Sequence, residues 1–264
     1  SIRHEGSSKF AADHRWANFW SATAGWRISN EEFMKDFTWL DDLKVRFGYG
    51  VTGNNDFDAS YMADMLGSDT YWMLPNGEWA YSFGKTQNVN RNLGWEEKKE
   101  WNLGVDYSLF GNRLYGKFDY FKRTIDNLIY EVAVPQPPYT QNTQWQNIGS
   151  MEVKGWEFEV GGDIIRTKDF VWSSNLNLSH NSGKIATLWG NNTYKNGNGF
   201  VAPGSPGDAA RMEEGSTIGS FYIWKFAGFD DEGNFLLYDK DNNVIPAKDK
   251  TENDKRYVGN YTPK

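Results

Sequence analysis

The sequence predicts an all-β fold, namely an antiparallel transmembrane β-barrel segment with long extracellular loops. Three observations lead to this prediction. Apolar and polar residues alternate with period two in successive runs of about nine residues, as in strands with one apolar and one polar face. Aromatic residues are abundant, with 13 Trp, 14 Tyr and 17 Phe in 264 residues. The connections between the runs are short at one end of the strands and long at the other.

The alternation is clearest in residues 101–109. Their odd positions are Trp101, Leu103, Val105, Tyr107 and Leu109, whereas their even positions are polar or glycine. Three other runs show the same pattern and three weaker runs resemble it. The predicted membrane strands are 1–5, 16–28, 43–52, 101–109, 114–124, 156–165 and 170–180.

The length of these runs fits a membrane. About nine residues at roughly 3.3 Å each, tilted by about 40°, span about 23 Å, close to the ~25 Å apolar band of an outer-membrane barrel. Aromatic residues lie at the ends of the runs, where interfacial girdles belong: Trp20, Trp26, Trp101, Trp156 and Phe170. A soluble β-sandwich alternates equally well, so alternation alone leaves both architectures open.

The sorting of the connections favours the barrel. If the strands run up and down, the tight turns FGNR (110–113) and RTKD (166–169) lie at one edge. The long connections 52–100, 124–155 and 181 onward lie at the other. Outer-membrane barrels have short periplasmic turns and long external loops. Residues 1–180 are therefore predicted to hold seven transmembrane strands. Residues 181–264 are predicted to be a long extracellular loop region, in which 219–228 and 234–239 pair as a hairpin.

The number of predicted strands indicates that the chain is part of a larger barrel. Bacterial single-chain barrels have an even number of strands, and an open sheet edge is not viable in lipid. Seven strands with both edges unpaired therefore predict that the chain is a segment of a larger barrel, with a plug domain and the remaining strands absent from it.

Composition and motifs exclude several functions. The net charge of −7 and the absence of a basic stripe argue against nucleic acid as a partner. No nucleophile, paired acid and base, or metal-binding spacing forms a catalytic constellation, so neither an enzyme nor a cofactor is predicted. An acidic stretch suggests Ca²⁺ through Asp230, Asp231, Asp239, Asp241 and Asn243. The glycine that a calcium loop needs is missing there, which favours a solvated turn and no metal.

Several long stretches resemble one family, and they occur in that family's order over nearly the whole chain. They are LKVRFGYGVTGNN (43–55), NLGWEEKKEWNLGVDYSLFGNRLYGKFDYFKRTIDNLIYEVAVP (92–135), NIGSMEVKGWEFEV (147–160) and EEGSTIGSFYIWKFAGFDDEGN (213–234). The chain is similar in these stretches to the SusC/RagA-type TonB-dependent transporters, large barrels in the outer membrane of Bacteroidetes. One departure is Thr217, where the family usually has proline.

The resemblance implies a barrel of about 22 strands. It also implies import of bulky nutrients, either oligosaccharides or peptides, with energy transmitted by TonB. The implied partners are the TonB complex, contacted through an N-terminal region that this chain lacks, a SusD-like surface lipoprotein that covers the barrel mouth, the substrate, and the lipid of the bacterial outer membrane.

Aromatic residues in the long connections are the candidate site. Trp72, Trp79, Tyr81, Trp145 and Trp189 are predicted to contact substrate or lid, because flat aromatic faces suit both sugars and protein interfaces. Packing within the loops explains the same residues equally well. The alternative function from another class is a glycan-binding β-sandwich or surface adhesin that uses these exposed rings.

Overall fold

A computed structural model describes residues 1–188, 194–196 and 209–260. Its strands are β1 (Ile2–Gly6), β2 (Trp16–Arg27), β3 (Leu40–Asn54), β4 (Leu66–Met73), β5 (Trp79–Lys85), β6 (Glu96–Leu109), β7 (Leu114–Asp126), β8 (Ile129–Ala133), β9 (Thr143–Asn147), β10 (Ser150–Arg166), β11 (Val171–Thr187), β12 (Tyr194–Asn196), β13 (Arg211–Glu213), β14 (Ser220–Trp224), β15 (Phe226–Phe229), β16 (Phe235–Tyr238), β17 (Val244–Pro246) and β18 (Lys255–Asn260). Short 3-10 helices span Ala12–His14, Ile28–Asn30, Glu32–Met34, Ala59–Met62, Ala247–Asp249 and Glu252–Asp254. Over these ranges, no helix is long and apolar enough to cross a membrane.

Seven long strands form one sheet in the order β1-β2-β3-β6-β7-β10-β11. Chain neighbours in this set are sheet neighbours, and its first five strands pair in antiparallel register, as in an up-and-down barrel wall. β1 and β11 each pair on one side only within the part of the chain that the structure describes. The remaining strands form small sheets in the long connections.

Several strands of this sheet are longer than the apolar alternation predicts. β6 begins at Glu96 rather than near residue 101, and it pairs with β7 from Glu97↔Asp126 onward. The added residues are charged, so no apolar period marks them. Ion pairs replace apolar contacts there, since Lys99 Nζ lies 2.9 Å from Asp126 Oδ2. β11 similarly continues to Thr187, beyond the predicted end at residue 180.

The register confirms that the apolar positions of neighbouring strands share one face. Val45 pairs with Val105, and Val105 pairs with Phe118. The polar positions meet on the other face, where Lys44 and Lys117 flank Asp106. One side of the sheet is therefore a continuous apolar surface and the other a continuous polar surface.

The tight turn after β6 reverses the chain within residues 110–113. Phe110, Gly111 and Asn112 have φ values of 58°, 65° and 63°, in the left-handed region. Two contacts hold this conformation: Phe110 N donates to Trp39 O (2.8 Å), and Asn112 N donates to Asp41 Oδ2 (2.9 Å). The turn is thus fixed by the neighbouring connection as well as by its own sequence.

The chain divides into two compact units, residues 1–150 with 154–179, and residues 151–153 with 180–264. In the second unit, the hairpin predicted between 219–228 and 234–239 is shorter and shifted. β15 pairs with β16, and β16 pairs with β17, whereas residues 220–224 pair with β18. The prediction was wrong for β14 because its strand partner lies about 35 residues further along the chain, beyond what local alternation can indicate.

Candidate functional site

The hairpin β4–β5 projects from the first long connection and carries five exposed aromatic residues. Its turn runs from Leu74 to Glu78, with Leu74 N donating to Glu78 O (2.8 Å) and Gly77 at φ 84°. Pro75 and Gly77 suit such a turn, since proline presets φ and glycine accepts the left-handed region. Tyr71 and Tyr81 lie opposite each other, with their rings 4.5 Å apart.

The two faces of this hairpin differ. Cross-strand partners share a face, so Met73 and Trp79 lie on the same side as Tyr71 and Tyr81. Trp72 pairs with Ala80 and therefore points to the opposite side. We call the first side, which consists of Tyr71, Met73, Trp79, Tyr81 and Phe83, the aromatic face. Its members are 56–69% exposed. Such a surface is available for contact with a ligand or partner.

A hydrogen bond fixes the centre of the aromatic face. The Tyr71 hydroxyl donates to the Tyr81 oxygen over 2.8 Å. This hydrogen bond is the main cause, followed by desolvation, of a raised pKa for Tyr71. The Tyr71 hydroxyl therefore stays neutral near neutral pH, and the face presents aromatic rings with polar edges.

A small core holds the first two long connections together. Phe10, Phe57 and Leu93 are 2%, 7% and 0% exposed, and they form its centre. Around them pack Tyr61, Met62, Trp95, Ile129 and Trp145. Trp145 stacks on Tyr61 with ring centroids 4.4 Å apart. The connections are consequently folded structures rather than loose loops.

Asn88 links the same connections through its side-chain amide. Its Nδ2 donates to the carbonyl oxygens of Gln141 (2.7 Å) and Thr143 (2.8 Å). Its Oδ1 accepts from Thr140 Oγ1 (2.9 Å) and from the main-chain N–H groups of Thr140 and Gln141 (3.2 Å each). All the hydrogen-bonding capacity of this amide is used. The base of the aromatic hairpin is thereby tied to the hairpin β8–β9.

The polar side of the seven-stranded sheet carries ion pairs that cross strands. Arg46 donates to Asp106 through Nε (2.7 Å) and Nη2 (2.8 Å), and its Nη2 also lies 3.1 Å from Asp119 Oδ2. The guanidinium thus joins β3, β6 and β7. Gly104 leaves the space for it, because a Cβ there would lie 2.6 Å from both Arg46 Nη2 and Asp119 Oδ1. We call these four residues the arginine clamp.

Two further groups continue this polar side. Lys117 Nζ lies 2.9 Å from Glu159 Oε2 and joins β7 to β10. Arg123 Nε donates to Glu100 Oε2 over 2.7 Å. The charges on this side are arranged in pairs of opposite sign. Charged groups like these suit a hydrated surface, because burying them in an apolar environment would be costly. This side is the one that would line a water-filled lumen.

The apolar side carries aromatic rings at two levels. Trp20 packs against Tyr49 at 4.9 Å, and Trp101 packs against Tyr120 at 5.5 Å, all at the end that bears the long connections. At the short-turn end, Phe37, Trp39 and Phe110 form a chain of rings 6.2 and 6.3 Å apart. Between the two levels most side chains are apolar, with Ser174 as an exception. This arrangement has the form of two interfacial girdles around a hydrocarbon band.

The acidic stretch considered for Ca²⁺ forms two turns with the same hydrogen-bonding pattern. Asp230 accepts from Asn234 N (2.7 Å) and Asn234 Nδ2 (3.0 Å), and Asp239 accepts from Asn243 N (2.8 Å) and Asn243 Nδ2 (3.0 Å). These side-chain hydrogen bonds are the main cause of a lowered pKa for each aspartate. The two carboxylates close the turns between β15, β16 and β17, which accounts for their presence without a metal.

Asp254 is a buried carboxylate of the second unit, at 6% exposure. Its Oδ2 accepts from Thr251 Oγ1 and Thr251 N (2.7 Å each), and its Oδ1 accepts from Lys240 N (3.0 Å). The hydrogen bonds from Thr251 are the leading cause of a lowered pKa for Asp254. The charged form therefore connects the end of β16 to the start of β18.

The structure brings only some of the candidate residues together. Trp79 and Tyr81 share the aromatic face, Trp72 lies on the reverse of the same hairpin, and Trp145 is half-buried against Tyr61. Trp189 lies outside the described residues. Sequence reasoning missed Phe83 and Met73, although the two-residue spacing from Tyr81 and Tyr71 is a signal that could have found them. It also missed Asn88, whose partners lie more than 50 residues away.

A sheet with an apolar, doubly girdled side and an ion-paired polar side defines the wall of an outer-membrane β-barrel. Comparisons with known proteins give the family. The model of the family described as "TonB dependent receptor-like, beta-barrel" matches residues 1–262. The chain therefore belongs to this family of bacterial outer-membrane barrels.

Individual relatives agree with this assignment. The chain is 32% identical over 259 residues to the TonB-dependent receptor SusC of Bacteroides thetaiotaomicron, covering 95% of this chain and 26% of SusC. It is 33% identical over 246 residues to the TonB-dependent receptor P39 of Formosa agariphila, covering 93% of this chain and 22% of P39. The chain thus spans about a quarter of the length of these relatives.

Solved structures of the RagAB peptide transporter have the same fold. One aligns with a TM-score of 0.80 at 25% identity, covering 97% of this chain and 27% of that chain. A structure of the RagAB peptide importer in its open-open state gives a TM-score of 0.80 at 26% identity, with the same two coverages. The up-and-down wall predicted from the sequence is confirmed.

Proposed function

We propose that this chain forms part of the barrel wall and extracellular mouth of a transporter that imports bulky nutrients across the bacterial outer membrane. The observation that carries the proposal is the match of residues 1–262 to the TonB-dependent receptor barrel. The similarity to SusC and to the RagAB peptide transporter supports import of oligosaccharides or peptides. We propose neither a catalytic role nor a cofactor for the wall.

The polar side of the sheet supports a path for a large hydrophilic substrate. Its charges are paired across strands, as in the arginine clamp and the pair Lys117–Glu159. Paired charges attract a charged solute less than free charges of one sign would. A lumen wall of this kind suits neutral or zwitterionic cargo, such as oligosaccharides and peptides.

The partners of the whole transporter are part of the same proposal. Energy would come from the TonB complex, which would act through a region outside this chain. A SusD-like surface lipoprotein would cover the mouth on the side of the long connections. The aromatic face of β4–β5 is then the candidate contact for the lid or the substrate, because it combines exposure with large planar side chains.

The core of the long connections supports this role indirectly. Trp145 stacks on Tyr61, and Asn88 ties the two connections, so the hairpin β4–β5 stands on an ordered base. A preorganised base reduces the entropy lost when a partner binds. Trp145 would then act by holding the contact surface in place, whereas Trp79 and Tyr81 would touch the partner.

Growth of the source bacterium tests the transport proposal. A strain whose full-length gene is deleted should fail to grow on the oligosaccharide or peptide pool that the transporter imports, and a plasmid copy should restore growth. Growth of the deletion strain at the wild-type rate on every such carbon source would contradict the proposal.

The two faces of the hairpin provide a matched test of the site. In the restored strain, Trp79→Ala with Tyr81→Ala should slow growth or reduce co-purification of the lipoprotein with the transporter. Trp72→Ala, on the reverse face, removes an equally exposed ring and should change both quantities much less. Reduced lipoprotein recovery would identify a lid contact, and slowed growth with full recovery would identify a substrate contact. Equal effects of the two sets would rule out a specific role for the aromatic face.

A further inference from the structure

The apolar side of the sheet contains a groove near the short-turn end. Its volume is about 400 Å³. Its apolar walls are Phe110, Leu114, Val160, Ile164 and Leu176. Three of these, Phe110, Ile164 and Leu176, are 52–56% exposed. The groove therefore offers apolar surface that the described residues leave uncovered.

The groove lies on the lipid-facing side rather than the lumen side. In β10, Glu159 reaches Lys117 and Asp163 accepts from Ser173 Oγ, and these contacts mark the polar side. Val160 and Ile164 alternate with these two acidic residues and so face the other way. The groove is continuous with the surface that contacts the hydrocarbon band.

Two small residues create the hollow. Position 162 needs a glycine because the main chain of Arg113 lies very close to it. A Cβ at position 162 would lie 2.5 Å from Arg113 O. Ser174 interrupts the otherwise apolar row Phe170, Trp172, Leu176 and Leu178. A leucine at position 174 would fill the groove. The serine instead leaves it open and places a hydroxyl on a lipid-facing surface.

The polar end of the groove carries a free positive charge. Arg113 lines the groove and is exposed, and over the described ranges its guanidinium has no hydrogen bond or ion pair. Asp163, the acidic residue of the lining, is already engaged by Arg166 (3.4 Å) and by the Ser173 hydroxyl (2.7 Å). Of the two charged residues that line the groove, the unpaired one is therefore positive and can pair with an anionic group.

We propose that this groove is a binding site for one glycerophospholipid of the leaflet at the short-turn end. An acyl chain lies along the apolar walls over Ser174, and the headgroup phosphate pairs with Arg113. Two features select a membrane lipid as the occupant, namely the continuity of the groove with the lipid-facing surface and the charge complementarity at its polar end. A guanidinium binds phosphate through two parallel hydrogen bonds, which gives the site geometric specificity.

The test uses the full-length transporter, purified in detergent and depleted of lipid. Dioleoylphosphatidylethanolamine is titrated, and the bound lipids are counted by native mass spectrometry. Dioleoylglycerol, which has the same chains and no phosphate, is the ligand control. The wild type should bind one phospholipid at least tenfold more tightly than it binds the diacylglycerol. Equal affinity for the two would overturn the role of the phosphate.

Variants locate the site. Arg113→Gln should weaken this binding by about tenfold, the equivalent of one lost charge-assisted hydrogen bond. Ser174→Leu should abolish it by filling the groove, whereas Ser174→Ala should leave it unchanged. Lys168→Gln is the charge control, because Lys168 lies on the neighbouring tight turn, is exposed and does not line the groove.

The outcomes separate clearly once each variant is shown to be folded by its heat-dependent gel mobility. Retention of the tight phospholipid by folded Ser174→Leu, or by Arg113→Gln, would overturn the proposal. An equal loss in Lys168→Gln would also overturn it, because the effect would then follow net charge and not the groove.

Discussion

The substitution Val105→Arg tests which side of the wall faces lipid. Val105 pairs with Val45 on one side and with Phe118 on the other, in the middle of the apolar surface. It lies four residues from Trp101 and four from Leu109, which is about 13 Å along the strand and about 10 Å along the membrane normal in each direction. The side chain is therefore close to the bilayer midplane.

At that depth an arginine on the lipid face costs about 2–4 kcal/mol of barrel stability. The cost should appear in the free energy of unfolding of the full-length protein in lipid vesicles, followed by tryptophan fluorescence in a denaturant series. The change should be in the midpoint, with little change in the slope, because the same surface is exposed on unfolding.

The control variant must face the lumen without breaking a contact. Alternation alone suggests Asp106→Arg, but the structure shows that Asp106 holds Arg46 in the arginine clamp. Asn102→Arg is the better control, since Asn102 pairs with Gly48 and Phe121 on the polar side. It should cost less than about 1 kcal/mol. Equal losses for Val105→Arg and Asn102→Arg would refute the assignment of the two sides.

Three further predictions concern the polar contacts. Arg46→Met should lower the free energy of unfolding by about 1–3 kcal/mol, because two carboxylates lose their partner; an unchanged denaturation midpoint would argue against the clamp. Asn88→Ala should increase hydrogen exchange in the hairpin β8–β9 while the exchange of β6 stays unchanged, and uniform exchange rates would contradict its linking role. Asp254 has a folded pKa below its ordinary value of 3.8, so its stabilising effect is present above that value and is lost as the pH falls through the lowered pKa. Limited proteolysis of 239–256 should become faster in acid for the wild type, whereas Asp254→Asn should be cleaved rapidly at neutral pH with little further change in acid.

The wall of the barrel could be predicted from the sequence because its determinant is local. Alternation in 101–109 fixes which residues share a face, and the pairing of Val45 with Val105 follows from it. The ends of the strands could not be predicted in this way. In 96–100 every residue is charged, so the ladder continues through ion pairs that no hydrophobic period reveals.

The sequence predicted which aromatic residues are candidates for the site, but not which of them are exposed and which are packed within the connections. The rings of Trp79 and Tyr81 are exposed, as a contact surface requires, whereas Trp145 packs onto Tyr61. Whether a ring is exposed or packed depends on contacts between residues that are distant in the sequence. Leu93 is completely buried because Phe10 and Phe57, about 83 and 36 residues away, fold over it, and a single sequence contains no signal for such contacts.

Position-by-position labelling of β6 tests the central claim most directly. The chain has no cysteine, so single cysteines can be placed at 102, 103, 105 and 107 of the full-length protein in lipid vesicles. A fluorophore at 103, 105 or 107 should be quenched by spin-labelled lipid, whereas a cysteine at 102 should react with a water-soluble maleimide and its fluorophore should escape quenching. Quenching at 103, 105 and 107 together with its absence at 102 would establish a wall between lipid and lumen. Uniform quenching, or uniform reactivity, across these positions would contradict it.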